Sequence, residues 1–337
     1  MKFPVLRQRI AATLPGTMVC VVIALAATFL SEHYGGPQLL YALLIGLSFH
    51  FLMANPQIKS GVEFCGRTLL RCGVALLGAR ITFDQVQALG LTMALVVCAA
   101  LACTIGMGLM LARLLGRPAE EGLLTGGAVA ICGASAALAI SSVLPQTREN
   151  ERFTLLVVVG VTVLSTVAMV VYPFVMHSMG LSAHVAGIFL GGTIHDVAQV
   201  VAAGMMLGPE AGDTATLVKL FRVMLLMPVV LVIVIAYRRH PAVKVSNQSV
   251  PLIPGFLVVF IVLVLWATVG LIPPPAVHLA ADTSRWLLVI AIAAAGIKTS
   301  FEDLIQLGWR PVAMLLGETL FIAAFVLIAV LSLGLGR

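Results

Sequence analysis

The sequence predicts an all-α polytopic membrane protein. Of its 337 residues, 61% are hydrophobic and only 10% are charged. A soluble domain is roughly 45–50% apolar and about 25% charged. Mean hydropathy is +1.10, and apolar stretches of about 20 residues, the length that crosses a bilayer, recur along the chain. Together these exclude a disordered chain and an ordinary soluble enzyme. Residues 1–337 are read as one integral membrane domain.

Nine segments read as simple spans: 14–30, 37–53, 61–82, 88–112, 153–176, 216–237, 252–272, 285–305 and 311–333. Lys2, Arg7 and Arg9 precede the first, and another span follows it, so it reads as an uncleaved first helix rather than a leader. Two further segments, 119–146 and 183–208, are rich in glycine and small residues and hold polar residues at mid-depth. One contains GGAVAICGASAALAISS (Gly126 to Ser142), the other GGTIHDVAQVVAAG (Gly191 to Gly204).

The chain has 20 Lys and Arg against 14 Asp and Glu, a net charge of +6. These cations fall mostly between spans, where they set orientation; no basic run is interleaved with aromatics, and nucleic-acid binding is not expected. Lys2, Arg7, Arg9, Lys59, Arg113, Arg117, Arg238, Arg239, Lys244 and Arg310 all fall on one side of the alternation, with the N-terminus inside. Arg148 and Arg152 join them if segment 119–146 dips into the membrane and returns; segment 183–208 must then do the same from the outer face. Broken helices that cross fully are the alternative. Non-helical backbone at that depth needs protein or a watery cavity around it.

The sequence repeats itself. LLRCGVALLGARITFDQVQALG begins at Leu69 and LLVIAIAAAGIKTSFEDLIQLG at Leu287, an offset of 218 (287 − 69). Gly78 then matches Gly296, Arg80 matches Lys298, Phe83 matches Phe301, Asp84 matches Glu302 and Gly90 matches Gly308. The repeat elements are 61–112 and 285–333. The Gly-Gly pairs at 126–127 and 191–192 relate the two glycine-rich segments in turn. On this topology both repeats are inverted. Inverted repeats around broken helices are characteristic of secondary transporters.

The candidate site residues lie in the glycine-rich segments. At Gly133, Ala134 and Ser135 a glycine can break the helix and a serine can cap the next one. A half-helix N-terminus at mid-membrane offers free N–H groups and a positive dipole end to a small anion. Close helix packing through small residues is the competing reading. In the second segment His195 and Gln199 share a helical face, and Thr193 or Asp196 is placed to cap the half-helix. Ionisable residues inside an apolar segment point to function, and histidine titrates near neutrality, which suits proton coupling. Lys298 lies about 18 Å into its span at 1.5 Å per residue and either pairs with Asp196, faces the anion or snorkels to the interface. Glu63, Arg67 and Arg71 are spaced by four and predict one helical stripe with a Glu63–Arg67 pair. Lys219 and Arg222, at the start of span 216–237, are expected at the membrane interface. The six cysteines form no CxxC pair and read as small core residues. No P-loop, HExxH, GxSxG or GxGxxG is present, so no cofactor is implied beyond a coupling H+ or Na+.

The two glycine-rich motifs and the G-x-[RK]-x-x-F-[DE] repeat resemble the YeiH-like family of bacterial inner-membrane proteins, also called the putative sulfate exporter family. That family is similar to the bile-acid/sodium symporters and cation/proton antiporters. The resemblance implies a fold with a scaffold part and a moving transport part, and export of sulfate or a related sulfonate. It carries Gly133, Ala134, Ser135, His195, Asp196 and Gln199 over as motif positions.

The sequence therefore leads to a secondary transporter, with substrate held by Gly133, Ala134, Ser135, Thr193, Gln199 and Lys298, and coupling at His195 and Asp196. A passive anion channel is the alternative, and an intramembrane enzyme using His195 and Asp196 a more distant one. A homodimer built on apolar scaffold spans is compatible with this reading.

Overall fold

Six helices in the computed structural model are long and apolar enough to cross a membrane: Ala12–Tyr34, Gly90–Leu114, Arg148–Ser178, Pro209–Ala236, Pro274–Lys298 and Trp309–Ser332. The structure describes residues 3–35, 37–81, 87, 90–145, 147–237, 255–300 and 308–333; among them there are helices and no strands. In chain order the helices are α1 (Phe3–Tyr34), α2 (Gln38–Ser48), α3 (Pro56–Phe64), α4 (Leu70–Leu77), α5 (Gly90–Leu114), α6 (Ala119–Ala130), α7 (Ala134–Ser141), α8 (Arg148–Ser178), α9 (Ala183–Thr193), α10 (Val197–Met206), α11 (Pro209–Met224), α12 (Leu226–Tyr237), α13 (Gly255–Thr268), α14 (Pro274–Lys298) and α15 (Trp309–Ser332).

Six of the nine expected spans correspond to these long helices. The other three are shorter or interrupted. Segment 37–53 is α2 followed by a tight turn, His50–Ala54. Segment 61–82 is α3 and α4 on either side of a wide, π-type turn at Cys65–Leu69. Segment 252–272 holds α13. The wide turn adds a residue to the helical repeat, which breaks the four-residue spacing expected of Glu63, Arg67 and Arg71. Arg67 and Arg71 are exposed, and no Glu63–Arg67 ion pair forms. The span expected at 216–237 begins earlier, at Pro209, which takes the first helical position after Gly208. It bends at Leu225, where Pro228 leaves the Met224 carbonyl without its helical donor.

The chain divides into two compact units. The first holds residues Met1–Gln87 and Gly255–Ser300, that is α1–α4, α13 and α14. Its helices cross where glycines let backbones meet: Gly16 of α1 on Gly61 of α3, and Gly46 of α2 on Gly296 of α14. Gly296 also meets the Leu43 carbonyl of α2, and Gly78, after α4, meets the Phe260 carbonyl of α13. The two contacts correspond at the 218-residue offset to within one residue. Pro56–Arg80 and Pro274–Lys298 stand at that offset too. Phe83, Asp84, Phe301 and Glu302, the rest of the shared frame, lie outside the described residues.

The second unit holds Ala88–Pro254 and Phe301–Arg337. Glycines in the left-handed region, Gly90 (φ 70°) and Gly308 (φ 80°), again 218 residues apart, stand at the start of α5 and just before α15. Helix α6 runs antiparallel to α5, with Gly122 against Gly108 and Gly126 against Ile105. It stops at Ala130. The Ile131 N–H bonds the Gly127 carbonyl, the Gly133 N–H bonds the Ala128 carbonyl, and Gly133 turns the chain at φ 63°, ψ −124°. Helix α7 then returns along α6, because Ile140 packs directly on Gly127. A continuous helix would hold residues 127 and 140 about 20 Å apart.

The segment 183–208 folds back in the same way. Ser182 caps α9, its hydroxyl accepting from the Val185 N–H. The chain is extended at Ile194 and at Asp196, then enters α10. Gly187 of α9 approaches Ala211 and Thr214 of α11, while Gly204 of α10 approaches Ala211, Gly212 and Ala215. Both outer ends therefore lie beside the first turns of α11. Helix α9 runs parallel to α11 and α10 antiparallel to it.

Candidate functional site

Each hairpin breaks in the interior of the second unit, and the breaks meet. A Cβ built on Gly133 would lie 3.5 Å from the Cβ of His195. Gly133 occupies the N-cap position of α7 and Asp196 that of α10, so the amino ends of two short helices are neighbours. Asp196 caps its own helix, with Oδ1 accepting from the Ala198 N–H at 2.8 Å, while its N–H donates to the Ser165 hydroxyl of α8 at 3.0 Å.

Helix α7 has no side-chain cap, which corrects the capping role expected of Ser135. A cap must precede the helix, and Gly133 holds that position. The Ser135 hydroxyl instead turns back to the Cys132 carbonyl (3.2 Å) and thiol (2.8 Å). The first N–H groups of α7 thus find no acceptor within the helix. Ala134 is half-buried and Ser135 exposed, as are Asp196 and Val197 in part. Thr193 is buried and does not cap either: its hydroxyl donates to the Phe189 carbonyl one turn back, at 2.7 Å.

The carboxyl ends of α6 and α9 carry the opposite problem, unpaired carbonyls and a negative dipole end. Lys219 and Arg222 of α11 solve both. The Lys219 ammonium donates to the carbonyls of Ile131 (2.6 Å) and Ile194 (3.0 Å). The Arg222 guanidinium donates to the carbonyls of Val129, Ala130, Gly191 and Ile194 at 2.8–3.1 Å. Their exposures are 0% and 1%. The interfacial location expected of this pair is therefore wrong. Because α11 starts at Pro209, its tenth and thirteenth residues beyond that proline lie roughly 15–20 Å along the helix.

His195 is fully buried between the hairpins. Its Nδ1 lies 3.2 Å from the Val129 carbonyl, which can only accept, so Nδ1 carries the hydrogen. Its Nε2 lies 3.0 Å from the Thr319 hydroxyl of α15. The Gln199 amide donates to the Thr166 hydroxyl at 2.7 Å, and its carbonyl oxygen has no hydrogen-bond partner among the described residues. Glu318, beside Thr319, is 0% exposed; one carboxyl oxygen accepts from Thr125 at 2.7 Å and the other has no partner among the described residues. Sequence reasoning passed over Glu318, although an acidic residue inside the span 311–333 was a signal in its own right.

The second unit thus gathers Gly133, Ala134, Ser135, Thr193, His195, Asp196 and Gln199 around one pair of helix breaks. Lys298 is not among them. It lies in the first unit, half-buried at the end of α14, with its stem near Gly66. Among the described residues no group of three or more His, Cys, Asp or Glu side chains is arranged to hold a metal ion.

Related proteins match nearly the whole chain. The protein is 50% identical over 330 residues to UPF0324 membrane protein TauZ of Paracoccus denitrificans, covering 97% of this chain and 98% of that one. It is 47% identical over 314 residues to a UPF0324 membrane protein of Chlorobaculum tepidum, covering 93% and 88%. It is 49% identical over 321 residues to one from Rhizobium meliloti, covering 95% and 93%. No solved structure matches it. The family described as "Conserved hypothetical protein 698" matches residues 15–315, and the chain belongs to this family, UPF0324, of multi-pass membrane proteins.

Proposed function

We propose that the protein is a secondary active transporter for a small anion such as sulfate or an organosulfonate, working by alternating access and coupled to H+ or Na+. The observation that carries this reading is the adjacency of the amino ends of α7 and α10. Two helix N-termini present N–H groups and positive dipole ends to the same place. Their neighbours Ala134, Ser135, Asp196 and Val197 are the accessible part of the cluster. The negative carboxyl ends are neutralised by two buried cations, Lys219 and Arg222. Hydroxyls from Ser135, Ser165 and Thr166, with the Gln199 amide, complete a shell suited to oxygen atoms of an anion.

In this reading the two hairpins are re-entrant, one from each leaflet of the bacterial inner membrane, with the N-terminus cytoplasmic. The correspondence of α2, α3–α4 and α5 with α13, α14 and α15 at one offset supports an inverted repeat, the architecture of many transporters with broken helices. The second unit, which holds both hairpins, is the transport part and the first unit the scaffold. An anion held by fixed dipoles is bound equally in both facings, so coupling requires a titratable or cation-binding group close by.

The test is flux in proteoliposomes of the full chain with labelled sulfate, sulfite and short organosulfonates, under imposed proton or sodium gradients. One of these anions is expected to accumulate with saturable kinetics, and Ser135→Ala is expected to weaken its apparent affinity several-fold. Flux of every anion that never exceeds equilibration, whatever the gradient, would identify a channel. Absence of flux for all of them would refute the transport reading.

A further inference from the structure

We propose that Glu318 of α15, rather than His195, carries the coupling proton of this transporter. The proposal rests on the transport reading above and deepens it.

Glu318 is completely buried. Oε1 accepts a hydrogen bond from Thr125 at 2.7 Å, and Oε2 has no hydrogen-bond partner among the described residues. Among the described residues no cation pairs with it. A buried carboxyl with one idle oxygen is expensive as a carboxylate unless a proton or a cation accompanies it. A membrane protein that retains one invites a functional explanation.

Its position supplies that explanation. Glu318 and Thr319 are consecutive on α15 and touch different hairpins. Glu318 contacts α6 of the first hairpin through Thr125. Thr319 contacts His195 at the break of the second. The protonation state of Glu318 is thus reported to the first hairpin by Thr125, and to the second through the adjoining turn of α15. Gly108 of α5 makes room for the carboxyl: a Cβ there would stand 2.9 Å from Oε1.

The other groups facing this position are already committed. On α6, Glu121 lies one turn from Thr125 and is paired with Arg117. At the second break, Asp196 caps α10. The two ring nitrogens of His195 are both occupied, by the Val129 carbonyl and the Thr319 hydroxyl, which suits a clamp better than a carrier. At the level of the breaks, α8 presents the hydroxyls of Ser165 and Thr166. Proton carriage then consists of forming one O–H bond on the Glu318 carboxylate with a proton from hydronium on one side and breaking it to water on the other, with the neutral carboxylic acid as the loaded state and the carboxylate as the unloaded one.

The experiment uses the full chain in proteoliposomes with pyranine inside. Labelled sulfate, sulfite and a short organosulfonate are tried in turn, and the one carried best is used throughout. Two rates are measured: net flux driven by a pH gradient, and anion-for-anion exchange without one. In the parent, the gradient is expected to drive net flux, with a matching pyranine signal. In Glu318→Gln the ratio of gradient-driven flux to exchange is expected to fall at least tenfold, and Glu318→Asp to recover part of it with a displaced pH profile. An unchanged ratio in Glu318→Gln overturns the assignment, as does a parent driven by sodium and indifferent to pH. If Glu318→Gln does not elute as a single species, Thr125→Val decides: it leaves the carboxyl in place and removes its hydroxyl partner, which otherwise bonds only the Glu121 and Gly122 carbonyls of its own helix, and an unshifted pH profile of net flux overturns the proposal. A parent that carries none of the anions sinks the transport reading itself, an outcome distinct from each of these.

Discussion

The Lys219 ammonium donates to the Ile131 carbonyl at 2.6 Å, so a cation from α11 closes the end of a helix 88 residues earlier in the chain. With Arg222 it binds the carboxyl ends of both broken helices, and each end depends on the same two side chains. Arg222→Met removes the donors to Ala130 and Gly191, and leaves Val129 with His195 alone, while filling a similar volume. A buried acceptor left unpaired costs about 1–3 kcal/mol. Thermal unfolding in detergent is expected to show a large loss for Arg222→Met, with a smaller one for Arg222→Lys, whose single ammonium reaches fewer carbonyls. Equal melting temperatures for all three proteins would show that the carbonyls find other partners.

Much of this arrangement was legible in the sequence, because it depends on residues that are conspicuous in an apolar chain. Gly126–Gly127, Gly133 and Gly191–Gly192 marked the close crossings and the turn, and His195 and Asp196 marked the second break. Lys219 and Arg222 were misread for an equally physical reason. Hydropathy treats a charge as the end of a span, and these charges sit beside Asp213 in a segment that looks polar at its start. The small residues Ala211, Gly212 and Ala215, which let α9 and α10 pack on both sides of that helix, were the available sign that it continues upstream. The role of Ser135 was misjudged because capping depends on where the helix begins. That is set by the left-handed turn at Gly133, two residues earlier than a cap at Ser135 would require.

The same turn yields a stability prediction. Gly133 sits at φ 63°, ψ −124°, outside the regions open to residues with a Cβ. Its nearest neighbours leave room, the closest lying at 3.5 Å, so the penalty of a side chain there is conformational. Gly133→Ala is expected to cost about 1–3 kcal/mol, as for other strained backbone positions. Gly255→Ala, at a helix start with open space around it and no positive φ, is the control and is expected to melt with the parent. Matching losses in the two variants would show that Gly133 is not a special position.

Asp196 offers a finer separation between holding the fold and binding the anion. Asn keeps an oxygen able to accept from the Ala198 N–H; Ala does not. N-cap truncation costs about 1 kcal/mol. Asp196→Ala is therefore expected to melt below Asp196→Asn. If the carboxylate also repels the anion at the shared amino ends, Asp196→Asn binds the anion several-fold more tightly than the parent. Isothermal titration with the transported anion checks the second point, and unchanged affinity assigns Asp196 to capping alone.

The accessibility of the site can be read directly with thiols. Ser135 is exposed while Thr193, on the other break, is 1% exposed and donates its hydroxyl inward to Phe189. In a chain whose six cysteines have been replaced, Ser135→Cys is expected to react with a water-soluble maleimide at least tenfold faster than Thr193→Cys. If the anion rests on the amino ends of α7 and α10, it covers residue 135 and slows that labelling in proportion to its occupancy. A chloride solution of equal ionic strength sets the baseline, since general screening acts alike on any anion. Protection by sulfate or a sulfonate, but not by chloride, fixes the substrate beside Ser135. Labelling that is fast at both positions contradicts the burial of the second break, and fast labelling of Ser135→Cys that no transported anion slows removes residue 135 from the binding site.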